Sequence, residues 1–256
     1  MREAGRRLAV ILHELAALVA PGVTTGDLEE HARRRLQELE TESAFLGYTA
    51  GGARPPFPSV FCASINDELI HAPSLPSRTL KNGDIIGLDF GLRYPQSKIT
   101  NYQLPITPHY ADMAVTVAVG NIPPRVQTLL TVTREALDRA IAVVQPGAHL
   151  KDVARAIERH IESNGFSVAR DYVGHGIGRA LHEPPEVPNF VGREFPDVIL
   201  KPGMTLAIEP MVIMGSPWLI HGPDGWTVKT KDGSFAAHFE HTIAVTETGA
   251  EVLTRL

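Results

Sequence analysis

Leu80–Asp89 reads LKNGDIIGLD and Leu200–Glu209 reads LKPGMTLAIE. Each stretch opens on Leu-Lys, passes a glycine and runs through apolar residues to a carboxylate six places after that glycine. The two carboxylates, at 89 and 209, are 120 residues apart in a chain of 256. A short apolar run bounded by a glycine turn reads as buried strand. A buried carboxylate without a partner is very costly. The same expensive pattern written twice, half a chain apart, points to a fold built from two related halves.

Working outward, Asp112–Gly120 (DMAVTVAVG) and Glu240–Gly249 (EHTIAVTETG) each open a β-branched run with a carboxylate, 128 residues apart (112 to 240). Arg2-Glu3-Ala4 leads to Pro21-Gly22, and Arg134-Glu135-Ala136 leads to Pro146-Gly147. Ser64–Pro73 (SINDELIHAP) echoes His175–Pro184 (HGIGRALHEP), which sets His71 against His182. Four echoes in one order predict a single domain over 1–256, with pseudo-repeats of about 1–122 and 123–256 divided at Pro123-Pro124. Each half reads as helices followed by strands, so the expected class is α+β with a mostly antiparallel sheet and the helices outside.

Leu8, Ile11, Leu12, Leu15 and Leu18 share one helical face, and Thr24-Thr25 can cap a second helix whose stripe is Leu28, Ala32, Leu36 and Leu39. Residues 41–60 read as loop. Strands are expected at Val60–Ile65, Ile85–Phe90 and Met113–Val119, helices near 125–144 and 149–163, and strands near 204–213, 226–230 and 240–246, with a hairpin or loop over 214–225.

A net charge of −5 argues against a nucleic-acid surface. The one cysteine, Cys62, excludes an internal disulfide and suits a reducing, cytoplasmic setting. His13 and Glu14 break the apolar run after Arg6-Arg7, so that run is expected to be an ordinary helix and not a signal peptide. No stretch is long and apolar enough to span a membrane.

The chemistry gathers around Gly174–Pro185, GHGIGRALHEPP, where His175 stands among Gly174, Gly176 and Gly178. Asp89, Asp112, Glu209 and Glu240 sit in or at the start of buried runs, and no lysine or arginine recurs beside them. One imidazole with several carboxylates and no thiolate suits two divalent ions of the Mn, Fe, Co or Zn kind better than calcium. Two such ions can hold a hydroxide as nucleophile, so the reaction class is metal-assisted hydrolysis. His13-Glu14 and His182-Glu183 lack the second histidine of a helical zinc protease, and neither a serine elbow nor a phosphate loop occurs.

At CASINDELIHAP, LKNGDIIGLDFG, GHGIGRALHEPP, LKPGMTLAIEPM and FEHTIAVT the chain resembles the type I methionine aminopeptidases, which share a duplicated pita-bread fold. The resemblance runs from Met1 to Leu256, and the short path from His182 to Glu209 leaves no room for the helical insertion of the type II enzymes. It implies Asp89, Asp112, His175, Glu209 and Glu240 as metal ligands, with Asp112 and Glu240 bridging and Glu209 also taking the proton of the metal-bound water. By the same resemblance His71 and His182 contact the scissile peptide, and Phe57, Cys62, Leu181 and Trp226 line a methionine pocket. The implied activity is removal of the initiator methionine from nascent chains before a small penultimate residue; nascent N-termini, short peptides and the ribosome are the expected partners of a monomer, with the oligomeric state left open by the sequence. A proline-directed peptidase or an inactive scaffold of the same fold are the rival readings.

Two features depart from the family pattern. Ala236 stands where many relatives carry a hydroxyl near a monovalent cation. Asp89 and Asp112 are further apart than is usual, so an insertion is expected at about 93–110, RYPQSKITNYQLPITPHY. Pro95, Pro105 and Pro108 argue against a simply lengthened hairpin there. Arg93, Lys98, Tyr94, Tyr102 and Tyr110, with no acid, suit a docking surface for a partner such as the ribosome, a rim lid, or a tolerated solvated loop. The insertion is expected to lie outside the chemistry.

Overall fold

The computed structural model describes residues 1–49, 55–96 and 107–256. The first half runs α1 (Arg2–Leu18), α2 (Thr25–Glu38), β1 (Glu42–Ser43), β2 (Cys62–Ile65), β3 (Glu68–Ile70), β4 (Ile85–Tyr94) and β5 (His109–Ala118). The second runs α3 (Pro124–Ala142), α4 (Leu150–Ser163), β6 (Ser167–Val168), β7 (Gly174–Gly176), β8 (Glu183–Val187), β9 (Thr205–Ile208), β10 (Met211–Ile213), β11 (Leu219–His221), β12 (Val228–Thr230), β13 (Ala236–His238), β14 (Glu240–Val245) and β15 (Ala250–Val252).

The main sheet has the order β1-β4-β5-β14-β9-β7-β8, with β2 also on β4 and β15 on β14. Two small sheets, β13-β10-β6 and β11-β12-β3, complete the fold. Leu8, Ile11, Leu12 and Leu15 of α1 pack with Leu28 and Ala32 of α2 on Ile86, Leu88 and Phe90 of β4. Leu129 and Leu137 of α3 pack with Ile157 and Ile161 of α4 on Leu206, Ile208 and Ile243. Each helix pair therefore buries its own stripe on its own strands. Thr24 caps α2 as expected, its side chain accepting from Asp27 N–H while the Asp27 carboxylate accepts from Thr24 N–H. Gly5 lets α1 approach the C-terminal segment, because a Cβ there would meet the Leu253 carbonyl oxygen at 2.1 Å.

The two halves share hydrogen bonds as well as element order. Gly22 N–H donates to Leu80 C=O at 2.9 Å, and Gly147 N–H donates to Leu200 C=O at 2.9 Å. Gly83 N–H reaches Val119 C=O at 2.9 Å, and Gly203 N–H reaches Val245 C=O at 2.9 Å. The last pair corrects the sequence register, since Val119 and Val245 are 126 residues apart and not 128. On that register Asp112 corresponds to His238, and Glu240 corresponds to Ala114.

The seam between the halves is β5 against β14, where direct strand pairing covers only Glu240↔Ala114 and His241↔Met113. Two buried threonines extend it. Thr116 Oγ1 donates to His238 C=O at 2.8 Å and accepts His238 N–H at 2.9 Å. Thr242 Oγ1 donates to Asp112 C=O at 2.8 Å and accepts Asp112 N–H at 2.9 Å. Where the ladder lacks a backbone partner, a hydroxyl supplies both a donor and an acceptor.

Several boundaries differ from expectation. The 41–60 loop contains β1, which pairs with β4 at Ser43↔Leu92. The strand expected over 204–213 breaks at Glu209-Pro210, so β9 and β10 belong to different sheets. Proline cannot donate to a ladder, which explains the break. Residues 214–225 hold β11, which pairs with β12. The β4–β5 ladder continues through Arg93↔Tyr110 and Tyr94↔His109, so the expected insertion begins as a lengthened hairpin after all. Pro95 and Pro108 stand one residue beyond its two ends. Residues 97–106, with Lys98, Tyr102 and Pro105, lie outside the described residues.

Thr242→Val keeps the shape but strips Asp112 N–H and C=O of their partner. Leaving buried polar groups unpaired costs ~1–3 kcal/mol. The urea midpoint of the metal-free protein should drop accordingly with an unchanged slope, and Thr242→Ser should stay close to wild type. An unaltered midpoint in Thr242→Val would show that these bonds do not hold the seam.

Candidate active site

β4, β5 and β7, the start of β14 and the end of β9 each deliver one polar group to the same cleft. Asp89 lies on β4 opposite Cys62 of β2, and Asp112 lies on β5 opposite Gly91. Glu240 opens β14. Glu209 follows β9 at the proline break, where its carbonyl accepts Asn189 Nδ2–H at 3.0 Å. His175 lies on β7 between Ala207 of β9 and Glu186 of β8.

The glycines around His175 are needed for close approach. A Cβ at Gly174 would meet the Ala207 oxygen at 2.4 Å, and one at Gly176 would meet the Pro184 oxygen at 2.2 Å. Two strands can therefore close on the histidine from both sides. His182 stands in the turn between β7 and β8, and His71 follows β3 with φ +60, a region sparsely used by residues other than glycine.

These side chains surround a cavity of about 560 Å³. Its lining includes all eleven residues singled out from the sequence: Asp89, Asp112, His175, Glu209, Glu240, His71, His182, Phe57, Cys62, Leu181 and Trp226. Asp112, His175 and Glu240 each offer an atom within 4.8 Å of the others. His175 Nε2 lies 3.6 Å from Glu209 Oε1. His175 Nδ1 is 2.9 Å from the Gly176 carbonyl, which can only accept, so Nδ1 carries the proton and Nε2 is left with a lone pair. Burial, with Asp89 and Asp112 beside it, pushes the Cys62 thiol well above its usual value.

At the apolar end Phe57 stands edge-on to Trp226, with ring centroids 5.3 Å apart. The Trp226 indole N–H is held by Pro55 C=O at 2.9 Å.

Charge is unbalanced here. Among the described residues no lysine or arginine lines the cavity, while Asp89, Asp112, Glu209 and Glu240 are buried. Burial, together with the neighbouring carboxylates, pushes Asp112 and Glu240 well above the usual carboxylate range. Burial raises Asp89 to about 6, against the opposing pull of His238. Burial, with His175 beside it, lowers His182 to about 4, so its ring is neutral at pH 7. Glu240 Oε1 is buried without a hydrogen-bond partner among the described residues. Clustered carboxylates, an imidazole lone pair and an orphaned oxygen form a donor set that a divalent cation fits.

Sequence reasoning missed His238, whose Nε2 lies 3.4 Å from Glu209 Oε2. The corrected register, which matches it to Asp112, is the signal that would have found it. It also missed Phe45, Tyr48, Ile70 and Tyr172 on the cavity wall. Tyr48 and Phe45 lie in a glycine-bearing loop with no periodic signal. Buried Glu29 of α2 went unnoticed too, although it accepts Val60 N–H at 3.1 Å and the Ser74 hydroxyl at 2.6 Å and so anchors the segment leading into β2.

A model of metallopeptidase family M24 matches residues 1–247. Methionine aminopeptidase 1 of Bacillus subtilis is 42% identical over 100% of this chain and 95% of its own length. The crystal structure of methionine aminopeptidase from Thermotoga maritima is 43% identical, with a TM-score of 0.89 over 100% of this chain and 95% of that one. The prolidase of Pyrococcus horikoshii is 17% identical with a TM-score of 0.73, and this chain covers 60% of it, a likeness of fold alone. The α+β pita-bread fold with two related halves is thus the fold of this chain.

The shifted groups set a pH dependence for the metal-free protein. Histidines lowered from the ordinary 6.5, His182 and His241, bind fewer protons folded than unfolded, so they add stability as pH rises towards 6.5. Raised carboxyls bind more protons folded, so they remove stability as pH rises above about 4. Asp112 and Glu240 are raised well above the usual carboxyl range by burial and by their neighbouring carboxylates, so ionising them opposes the fold as pH rises. After chelation, the melting temperature of Asp112→Asn relative to wild type should therefore rise as pH rises above about 4. A difference between the two proteins that does not grow with pH would contradict the assignment.

Proposed function

This chain belongs to metallopeptidase family M24, and from that premise we propose that its cleft removes N-terminal methionine from nascent proteins and short peptides, preferring a small penultimate residue. The observation that carries the reading is a single cavity with acids and His175 at one end and Phe57, Cys62, Leu181 and Trp226 at the other. A flexible thioether packs well against aromatic edges, which suits that apolar end to methionine.

Asp89, Asp112, His175, Glu209 and Glu240 would hold two divalent ions of the Mn, Fe, Co or Zn kind. When bound, such ions polarise the peptide carbonyl and acidify water. Glu209 is the general base. Its carboxylate takes the proton of the attacking water on an oxygen flanked by His175 or His238. That proton is then available to the leaving amine. His182, neutral at pH 7, and His71 contact the scissile peptide and steady the oxygen on which charge develops.

Residues 1–256 act as one peptidase domain of two pseudo-repeats, about 1–122 and 123–256, and a monomer in the cytoplasm is the proposed working form. Nascent chains at the ribosome are its proposed substrates, with the 93–110 insertion outside the chemistry. Among the described residues no helix is long and apolar enough to cross a membrane. A proline-directed peptidase shares only the fold, and an inactive scaffold would not need all five ligands.

The test is elemental analysis of the purified protein followed by turnover of Met-Ala-Ser and Ala-Pro peptides. Met-Ala-Ser should be cleaved and Ala-Pro spared; the opposite preference would favour the proline-directed reading. Glu209→Gln should keep the fold and lose roughly 10²–10⁴-fold in turnover, the usual worth of a general base. Near-normal turnover by a folded, metal-loaded Glu209→Gln protein would remove Glu209 from this role.

A further inference from the structure

Tyr48 lies in the segment between β1 and β2 and is held on both sides by backbone bonds. Its N–H donates to Phe45 C=O at 2.8 Å, and its C=O accepts Phe57 N–H at 2.9 Å. The ring stands edge-on to His182, centroids 5.6 Å apart, and tilted against Trp226 at 6.4 Å. These contacts bring the phenol oxygen to 3.0 Å from His182 Nδ1. On its other flank the His182 ring meets His175 edge-on, with centroids 4.4 Å apart.

A neutral imidazole has one nitrogen that donates and one that accepts, and a fixed partner on one nitrogen decides the role of the other. No hydrogen-bond partner for His182 Nε2 occurs among the described residues. The ring lines the cavity, so Nε2 is the nitrogen left for a bound molecule.

We propose that Tyr48 is a positioning residue for the reaction: its O–H donates to His182 Nδ1, which fixes the ring plane and keeps the imidazole proton on Nε2, aimed at the carbonyl oxygen of the bound peptide. The other tautomer would present a lone pair to that oxygen and repel it as charge develops. No proton changes owner. Tyr48 keeps its own, and the Nε2 proton is shared with the oxygen and kept when the tetrahedral species collapses. The inference rests on the reading of His182 as a peptide-contacting residue. A donor that matters only once charge has developed acts on kcat and leaves KM nearly unchanged.

Tyr48→Phe keeps the ring against His182 and Trp226 and deletes only the hydroxyl. On a methionyl tripeptide its kcat should fall about 10-fold while KM stays within about twofold, a smaller loss than the roughly 10²–10³-fold seen when an oxyanion donor itself is removed. The direct readout is nitrogen-15 spectroscopy of the imidazole in the zinc-loaded protein, with the His182 signals assigned by their absence from His182→Ala. Wild type should show His182 protonated at Nε2 and bare at Nδ1, and Tyr48→Phe should show a mixture of tautomers. A wild-type ring protonated at Nδ1, or a Tyr48→Phe protein with the wild-type tautomer and kcat, would overturn the proposal. Full turnover by His182→Ala would instead remove the role given to His182, and the wild-type tautomer would still decide whether Tyr48 sets it.

Discussion

Four buried carboxylates share one cleft that, among the described residues, no lysine or arginine lines, and the architecture follows from that constraint. Isolated, each charge would be expelled or protonated, and Asp89, Asp112 and Glu240 are indeed pushed upward by their burial. A cation in their midst reverses that cost. The fold must then supply acids from different strands at one point, which is what a seam between two related halves provides.

That seam is narrow. Direct pairing of β5 with β14 covers two residue pairs, and reciprocal hydroxyl bonds from Thr116 and Thr242 carry it further. Their arrangement is symmetric: Thr116 grips the backbone of His238, and Thr242 grips that of Asp112. The bonds that join the halves thus also fix a proposed ligand and the histidine beside Glu209. The helix pairs keep their own cores to either side, which leaves the cleft free of packing demands.

The Asp89–Glu209 echo was legible because glycine turns and apolar runs write strand grammar directly into sequence. The Asp112–Glu240 echo was read two residues out of register, because matching carboxylate to carboxylate ignores which positions share hydrogen bonds. His238 was lost through that slip. The longer β4–β5 hairpin was hidden by Pro95 and Pro108, which end the ladder rather than prevent it. Phe57, Cys62, Leu181 and Trp226 carry no signal of their own beyond resemblance, since apolar residues in loops and strands look like core. Tyr48 carried none at all, because its importance lies in a contact with a residue 134 positions away.

The central claim is the proposal that Asp89, Asp112, His175, Glu209 and Glu240 together hold divalent cations. Calorimetric titration of manganese into chelator-treated protein at pH 7.5 tests it most directly, with the Asp112→Asn variant alongside. Saturable binding at up to two sites, lost or greatly weakened in Asp112→Asn while both proteins remain folded, is the predicted result. A folded wild-type protein that takes up no divalent ion, or an Asp112→Asn protein that binds it equally well, would contradict the account.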